Sequence, residues 1–237
     1  MFNLNHADAA VMITATEVAE TVLLFIWVMI VALLVTRRFY SYMRGRGVEH
    51  YVAVYYNRKV IHVLAGGVAA IAVPFVFKTA LLPLVMACFL AIFLYIPHRM
   101  GKIMQWFQTE DNMYEVSFAA MWSIVLCLGW LASGGDFRFG VLPILFMAVG
   151  DSLTGIVRNL LYKRRTKSWK GNIAMAMFSI PVGVTLGVAG ILAGACASFV
   201  EHFEFKPIDD NITVPLVSFS ILIVAEYYAP WLLTFNF

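Results

Sequence analysis

Three polar segments of this chain carry the residue types that could do chemistry. One runs from Gly150 to Gly171 (GDSLTGIVRNLLYKRRTKSWKG). An apolar run ends there in Asp151, and Thr154, Gly155 and Arg158 follow at i+3, i+4 and i+7, a single stripe on a helix. A basic cluster then comes (Lys163, Arg164, Arg165, Lys167, Lys170), holding Ser168 and closing on Gly171. A carboxylate inside apolar sequence is kept when it pairs with a cation, a metal or a substrate. Two bland readings stay open: Asp151 pairs with Arg158, or it caps a helix broken after Gly150. The second segment is Asn57-Arg58-Lys59-x-x-His62 with Gly66-Gly67, where Arg58, His62 and Gly66 repeat at i, i+4, i+8. Snorkelling to headgroups accounts for Arg58 and Lys59, but not for His62 one turn deeper. The third is Glu201-His202-x-Glu204 followed by Asp209-Asp210-Asn211. These acidic residues suit either a solvated loop or a hard divalent cation such as Mg²⁺, which takes oxygen ligands from one or two carboxylates plus substrate phosphates. Zinc spacing is absent.

Composition says what must position these segments. Of 237 residues, 62% are hydrophobic and 13% charged, against about 25% charged in soluble domains. The apolar runs are long and continuous, so the chain reads as an all-α polytopic membrane protein, one integral domain over 1–237. Spans are expected at 18–35, 60–77, 79–96, 115–132, 139–162 and 213–233. Residues 1–17 carry no Lys or Arg, unlike the start of a signal peptide, so the first run is expected to be retained. Residues 172–200 are apolar but studded with Gly183, Gly187, Gly190 and Gly194. They are expected to form a hairpin with its turn near 187–190, although two helices of about 14 residues rise only about 21 Å. The bundle thus has about seven to eight transmembrane helices. Arg37–Arg58, Pro97–Lys102 and 163–170 are all basic, which puts them in the cytoplasm and the N-terminus outside. Cys88, Cys127 and Cys196 lie alone in apolar runs and suggest neither a disulfide nor a metal site.

On this topology the three polar segments share one membrane face. If the fifth helix leaves the membrane near Tyr162, Asp151 lies about 16 Å in. Carboxylates for a metal, Lys and Arg for an oligophosphate, and Asp151 and His62 as candidate bases together make a parts list for phosphoryl transfer. An acceptor buried among spans implies a lipid.

The same residues resemble the nucleotide-dependent polyprenol kinases: dolichol kinase, phytol kinase and their archaeal relatives. The resemblance covers about Arg58 to Leu216. It rests on Arg58-Lys59-x-x-His62 with Gly66, Gly150-Asp151 with Gly155, Lys167-Ser168-x-x-Gly171, Glu201, and Asp210-Asn211-x-x-x-Pro215-Leu216. The run Asp209–Leu216 is most similar to the phytol-kinase branch. Membership would imply a kinase-like core at 58–216, flanked by a first span and basic loop at 1–59 and a last span at 213–237. It would imply Mg²⁺, CTP as donor (UTP or ATP as variants), and a long-chain isoprenoid alcohol as acceptor in the cell membrane, with no nucleic-acid partner. Asp151 and His62 would be catalytic. Arg58, Lys59, Arg158, Lys163, Lys167, Ser168, Gly171 and Asn211 would hold the nucleotide, and Asp151, Glu201 and Asp210 the metal. Where dolichol kinases carry glycines seven and eleven residues after the Asp, this chain has Arg158 and Tyr162, so charge replaces backbone wrapping. A CDP-lipid-forming cytidylyltransferase is the alternative, although its long Lys/Arg/Asp/His signature is missing. A transporter, suggested by the interrupted 172–200 segment, is the third reading.

Overall fold

The computed structural model describes residues 13–162, 167–203 and 208–235. They form a helical membrane bundle: α1 (Ala15–Gly45), α2 (His50–Val76), α3 (Leu81–Met100), α4 (Tyr114–Ala132), α5 (Arg138–Tyr162), α6 (Trp169–Gly183), α7 (Gly187–Val200) and α8 (Asp210–Tyr228). Seven segments are long and apolar enough to cross a membrane, with Trp169–Val200 counted as one. That segment folds back on itself as the expected hairpin. The carbonyl of Asn172 accepts Ser198 Oγ at 2.6 Å, and the Ser198 carbonyl accepts Asn172 Nδ2 at 2.5 Å. Gly183 meets Gly190, and Gly194 meets Ser179, so closely that a Cβ on any of these glycines would strike backbone within 2.5 Å. Small residues let helices approach this way where no hydrophobic drive separates helix from lipid. Gly187, at φ +60°, turns the chain at the tip.

The short hairpin still reaches from one end of the bundle to the site. The carbonyl of Thr185 accepts Arg138 Nη1 at the start of α5. From Arg138 to Asp151 α5 rises about 20 Å, the same as α7 from Gly187 to Val200. The hairpin therefore ends level with Asp151, inside the bundle rather than at its rim.

Two expected boundaries shift. The helix expected over 18–35 begins at a capping box, in which Thr14 Oγ1 accepts Glu17 N and Glu17 Oε2 accepts Thr14 N, and it runs on to Gly45. Nothing in Thr36–Arg44 breaks a helix, so Arg37, Arg38 and Arg44 ride on a helical extension, which stops near Gly47 at φ +81°. Likewise α2 begins at His50, not near 60, so Arg58 and Lys59 sit within a helix.

Helix α5 is the centre. In its most apolar window 78% of residues are buried, against 17% for α1 and for α3. Ile144, Phe146, Met147 and Ala148 have no exposed surface. On the α4 side Gly129 and Gly140 let the backbones touch. The most enclosed helix of the bundle thus delivers Asp151.

Candidate functional site

Two wide turns set up the site. In α2 residues Ile61–Gly67 are π-helical, and in α5 Phe146–Gly150 are π-helical immediately before Asp151. Such turns frequently mark functional positions, because they re-aim side chains and loosen the backbone ladder. In the α2 turn the Leu64 carbonyl accepts Trp27 Nε1 at 2.7 Å, and the Gly66 carbonyl accepts Trp122 Nε1 at 3.0 Å. Gly66 also clears room for Phe118, whose ring would lie 2.4 Å from an added Cβ. Phe118 in turn stacks on His62, centroids 3.9 Å apart and planes 11° from parallel. The glycine pair thus serves the approach of α4, and through it the orientation of His62.

Asp151 is 4% exposed. Its Oδ2 accepts Lys59 Nζ at 2.5 Å and lies 3.9 Å from His62 Nδ1. So Asp151 pairs with Lys59, not with Arg158 as the bland reading had it. Arg158, about two turns further along the same face of α5, reaches α6 and the end of α7. Its Nη1 and Nη2 donate to both oxygens of Glu201, at 2.8 and 2.7 Å, and Nη2 also donates to Asn172 Oδ1. Gly171 permits this, since a Cβ there would fall 2.6 Å from Arg158 Nε. Gly155 does the same for Tyr55 and Lys59. Lys167 Nζ donates to Glu201 Oε1 at 2.8 Å and stands 3.4 Å from Asp210 Oδ2.

Asp151, Glu201 and Asp210 each offer an oxygen within 4.8 Å of the others. Burial, with the charge of Asp151 beside it, pushes the Glu201 carboxyl above its ordinary range, against the pull of Lys167 and Arg158. Three carboxylates so placed suit a hard cation. Two oxygens on opposite sides of one Mg²⁺ stand about 4.2 Å apart at bonds of about 2.1 Å, so small side-chain movements would bring these three together. The donor set fits Mg²⁺ chemically, with carboxylate oxygens and no thiol or imidazole among them.

These groups line one partly open cavity of about 750 Å³, together with Tyr51, Tyr55, Arg58, His62, Thr109, Asp111, Tyr114 and Asn211. The cavity brings together Arg58, Lys59, His62, Asp151, Arg158, Lys167, Glu201, Asp210 and Asn211 from the sequence reading. Ser168 and Gly171 do not line it: Ser168 caps α6, its Oγ accepting Lys170 N and its carbonyl accepting Arg158 Nε. Lys163, Arg164, Arg165 and Glu204 lie outside the described residues.

The sequence reading missed the wall opposite α5. Residues 101–113 fold over the end of α2: the Phe107 carbonyl accepts Arg58 Nε at 2.7 Å, and Thr109 Oγ1 accepts Arg58 Nη2 at 3.0 Å. Behind them Glu115, 4% exposed, meets His98 Nε2 at 2.6 Å, Gln108 Nε2 at 3.0 Å and Arg58 Nη2 at 3.4 Å. The Thr109-Glu110-Asp111-Asn112 run was the available signal, a fourth polar cluster at the same end of the bundle. Tyr55 was legible as well, one turn before Lys59 on the same stripe. Helix α8 closes the ring through Asn211 Nδ2, which donates to the Tyr114 carbonyl, and Ser117 Oγ, which donates to Asp209 Oδ2.

Comparison with family models, with curated proteins and with solved structures gives no match to this chain. What the site does is therefore argued from its own residues.

Proposed function

We propose that this membrane protein is a kinase that transfers the γ-phosphoryl group of a nucleoside triphosphate, CTP by the motif resemblance, to the hydroxyl of a long-chain isoprenoid alcohol. The observation that carries the reading is the interleaving of three clustered carboxylates with Arg58, Lys59, Arg158 and Lys167 in one cavity. Phosphoryl transfer needs positioning and charge neutralisation more than covalent chemistry from the protein, and this set supplies both signs of charge. Depth supports a lipid acceptor: Asp151 and His62 lie within membrane-spanning helices, not in loops. The cell membrane is the expected location.

Each residue has a part. Asp151, Glu201 and Asp210 would hold Mg²⁺, which when bound neutralises phosphate charge. Lys59 and Lys167 sit within reach of both carboxylates and cavity, so they can turn to phosphate oxygens. Arg58 and Arg158 are anchored by carbonyls and by Glu201 and present a fixed positive wall. His62 Nδ1 is buried without a hydrogen-bond partner. With its proton on Nε2, it is an acceptor beside Asp151, on a ring that lines the cavity. The alcohol oxygen forms the new bond to phosphorus, the bond from phosphorus to the diphosphate breaks, and the hydroxyl proton passes to His62.

The test is purified protein with γ-labelled CTP, UTP and ATP against a panel of isoprenoid alcohols, diacylglycerol and their monophosphates. A labelled lipid monophosphate with release of the nucleoside diphosphate is expected. Release of pyrophosphate with a CDP-lipid would replace the kinase by a cytidylyltransferase, and absence of turnover with every nucleotide would remove both.

A further inference from the structure

A second pocket of about 70 Å³ lies between α1, α2, α3 and α4. Its lining is apolar, with Val28, Met29, Ala65, Met86, Leu90 and Trp122 among the walls, except at one end. At that end stand Arg58, His62 and Glu115, and Arg58 and His62 also line the polar cavity. Arg58 and His62 are therefore a wall common to both spaces, and Phe118 stacks on the imidazole. The pocket is partly open, and its outer walls are α1 and α3, whose spans are the least enclosed of the bundle. Around it their outer faces carry exposed Ile26, Ile30, Phe89 and Ile92, side chains that suit contact with lipid chains.

We propose that this pocket receives the head end of the acceptor's hydrocarbon chain, entering from the bilayer between α1 and α3, and that His62 meets the hydroxyl at the wall the pocket shares with the polar cavity. The shared wall at Arg58 and His62 points to the occupant. A space that is apolar along its length and ends at Arg58 and His62 matches a chain with one terminal hydroxyl. A diacyl phospholipid would bring a bulky charged headgroup to the same narrow end. An engineered apolar cavity of about 150 Å³ takes up benzene, so this volume seats only the first few carbons. The rest of the chain stays between the outer faces of α1 and α3. Chain length is then read weakly, and bulk near the hydroxyl strongly. Helix α1 lies outside the 58–216 stretch that carries the motif resemblance, yet it supplies one wall of the acceptor site.

The inference rests on the kinase reading for the identity of the ligand, and its test separates the two. A long-chain isoprenoid alcohol bearing a diazirine beside the hydroxyl is cross-linked to the wild-type protein in lipid nanodiscs, and the adducts are mapped by mass spectrometry. Adducts at 28–32 and 86–94 are expected, displaced by excess unlabelled alcohol but not by the matching hydrocarbon. Met29→Trp and Leu90→Trp, which fill the pocket from its outer side, should raise the KM for the alcohol roughly tenfold while the KM for nucleotide holds. Adducts confined to residues outside α1–α4, or displaced equally by the hydrocarbon, would overturn the pocket. So would an unchanged alcohol KM in both folded variants, and that result would leave the kinase intact. Displaceable adducts at 28–32 and 86–94 without any phosphoryl transfer would keep the pocket as an alcohol site and remove the kinase.

Discussion

Two glutamates are buried to nearly the same degree at the same end of this bundle, and their surroundings differ chiefly in one respect. Glu115 is 4% exposed and Glu201 1%. Each meets an arginine, and each has a side-chain amide in contact, Gln108 for one and Asn172 for the other. Glu115 adds His98, and Glu201 adds Lys167. What separates them is company of like charge. Glu201 stands in a group with Asp151 and Asp210, whereas Glu115 is part of no such acidic group among the described residues. A buried ion pair is weak grounds for function, since charges removed from water need partners merely to persist. Clustered carboxylates are stronger grounds, because gathering them raises the energy of the folded state unless a cation repays it. Under the proposed function, Glu115 holds the wall of the site and Glu201 belongs to its carboxylate group.

The largest effect expected from that division is at Asp151. Asp151→Asn keeps shape and burial but removes a metal-binding oxygen, and should cut CTP-dependent phosphorylation of a polyprenol by at least about 10²-fold, within the range for losing one preorganised electrostatic group. Turnover near that of the wild type would withdraw Asp151 from the chemistry. Next in size is Glu115→Ala. Breaking one side of a buried pair strands the other, a loss of about 3–5 kcal/mol, so thermal unfolding in detergent should show a marked drop in stability. The surviving folded fraction should keep a larger share of its transfer rate than Asp151→Asn does. The reverse pattern, full stability with transfer abolished, would move Glu115 into the reaction and erase the distinction between the two glutamates.

The sequence made one of these regions legible and hid the other. Asp151, Arg158, Arg58 and His62 stand out because each interrupts apolar sequence, where a charge or imidazole needs a reason. Glu201 and Asp210 followed because the topology returned them to the same end. Glu115 does not stand out: it sits in the first turn of α4, beside Tyr114, as any border residue would. Its partners His98 and Gln108 come from the end of α3 and from a loop, so nothing local announces them. The bundle was readable from its continuous apolar runs, and the α6–α7 turn from its glycines. Helix extensions beyond the apolar runs were not, because Thr36–Gly45 and His50–Lys59 are helical without being hydrophobic. Nor were the π-helical turns that hold His62 and precede Asp151: a single extra residue in a helix leaves no mark in hydropathy. Pairing was the other blind spot. The stripe of Asp151 and Arg158 on one face fits a pair between them as well as it fits the observed crossing to Lys59 and Glu201.

If the carboxylate group is a cation site, Mg²⁺ should stabilise the folded protein. At about 100 times its dissociation constant a ligand adds about 2.7 kcal/mol. Unfolding followed with Mg²⁺ and with chelator should differ for the wild type and for Glu115→Ala. It should differ far less for Asp210→Asn, whose carboxylate is the most accessible of the three. An equal response in Asp210→Asn would place Mg²⁺ elsewhere.

The smallest expected effect is in pH, and it sharpens the argument from crowding. The Glu201 carboxyl is raised by burial and by Asp151. A group whose pKa is higher folded than unfolded binds its proton more tightly when folded. Its contribution to stability is therefore complete below the ordinary carboxylate value and is lost as pH rises through the raised one. With chelator present, this contribution should decline with pH above about 4.5, the reverse of the usual carboxylate behaviour. Mg²⁺ should cancel the decline, because a bound cation favours the ionised group. Glu201→Gln should lack this component with or without Mg²⁺. Unfolding curves between about pH 4 and pH 8, taken as the difference between wild type and Glu201→Gln, isolate it from the other carboxylates. A difference that grows in favour of the wild type as pH rises would mean that Arg158 and Lys167 outweigh Asp151 at Glu201. The group would then be an ion network balanced by its own lysines and arginine, with no unmet demand for a cation.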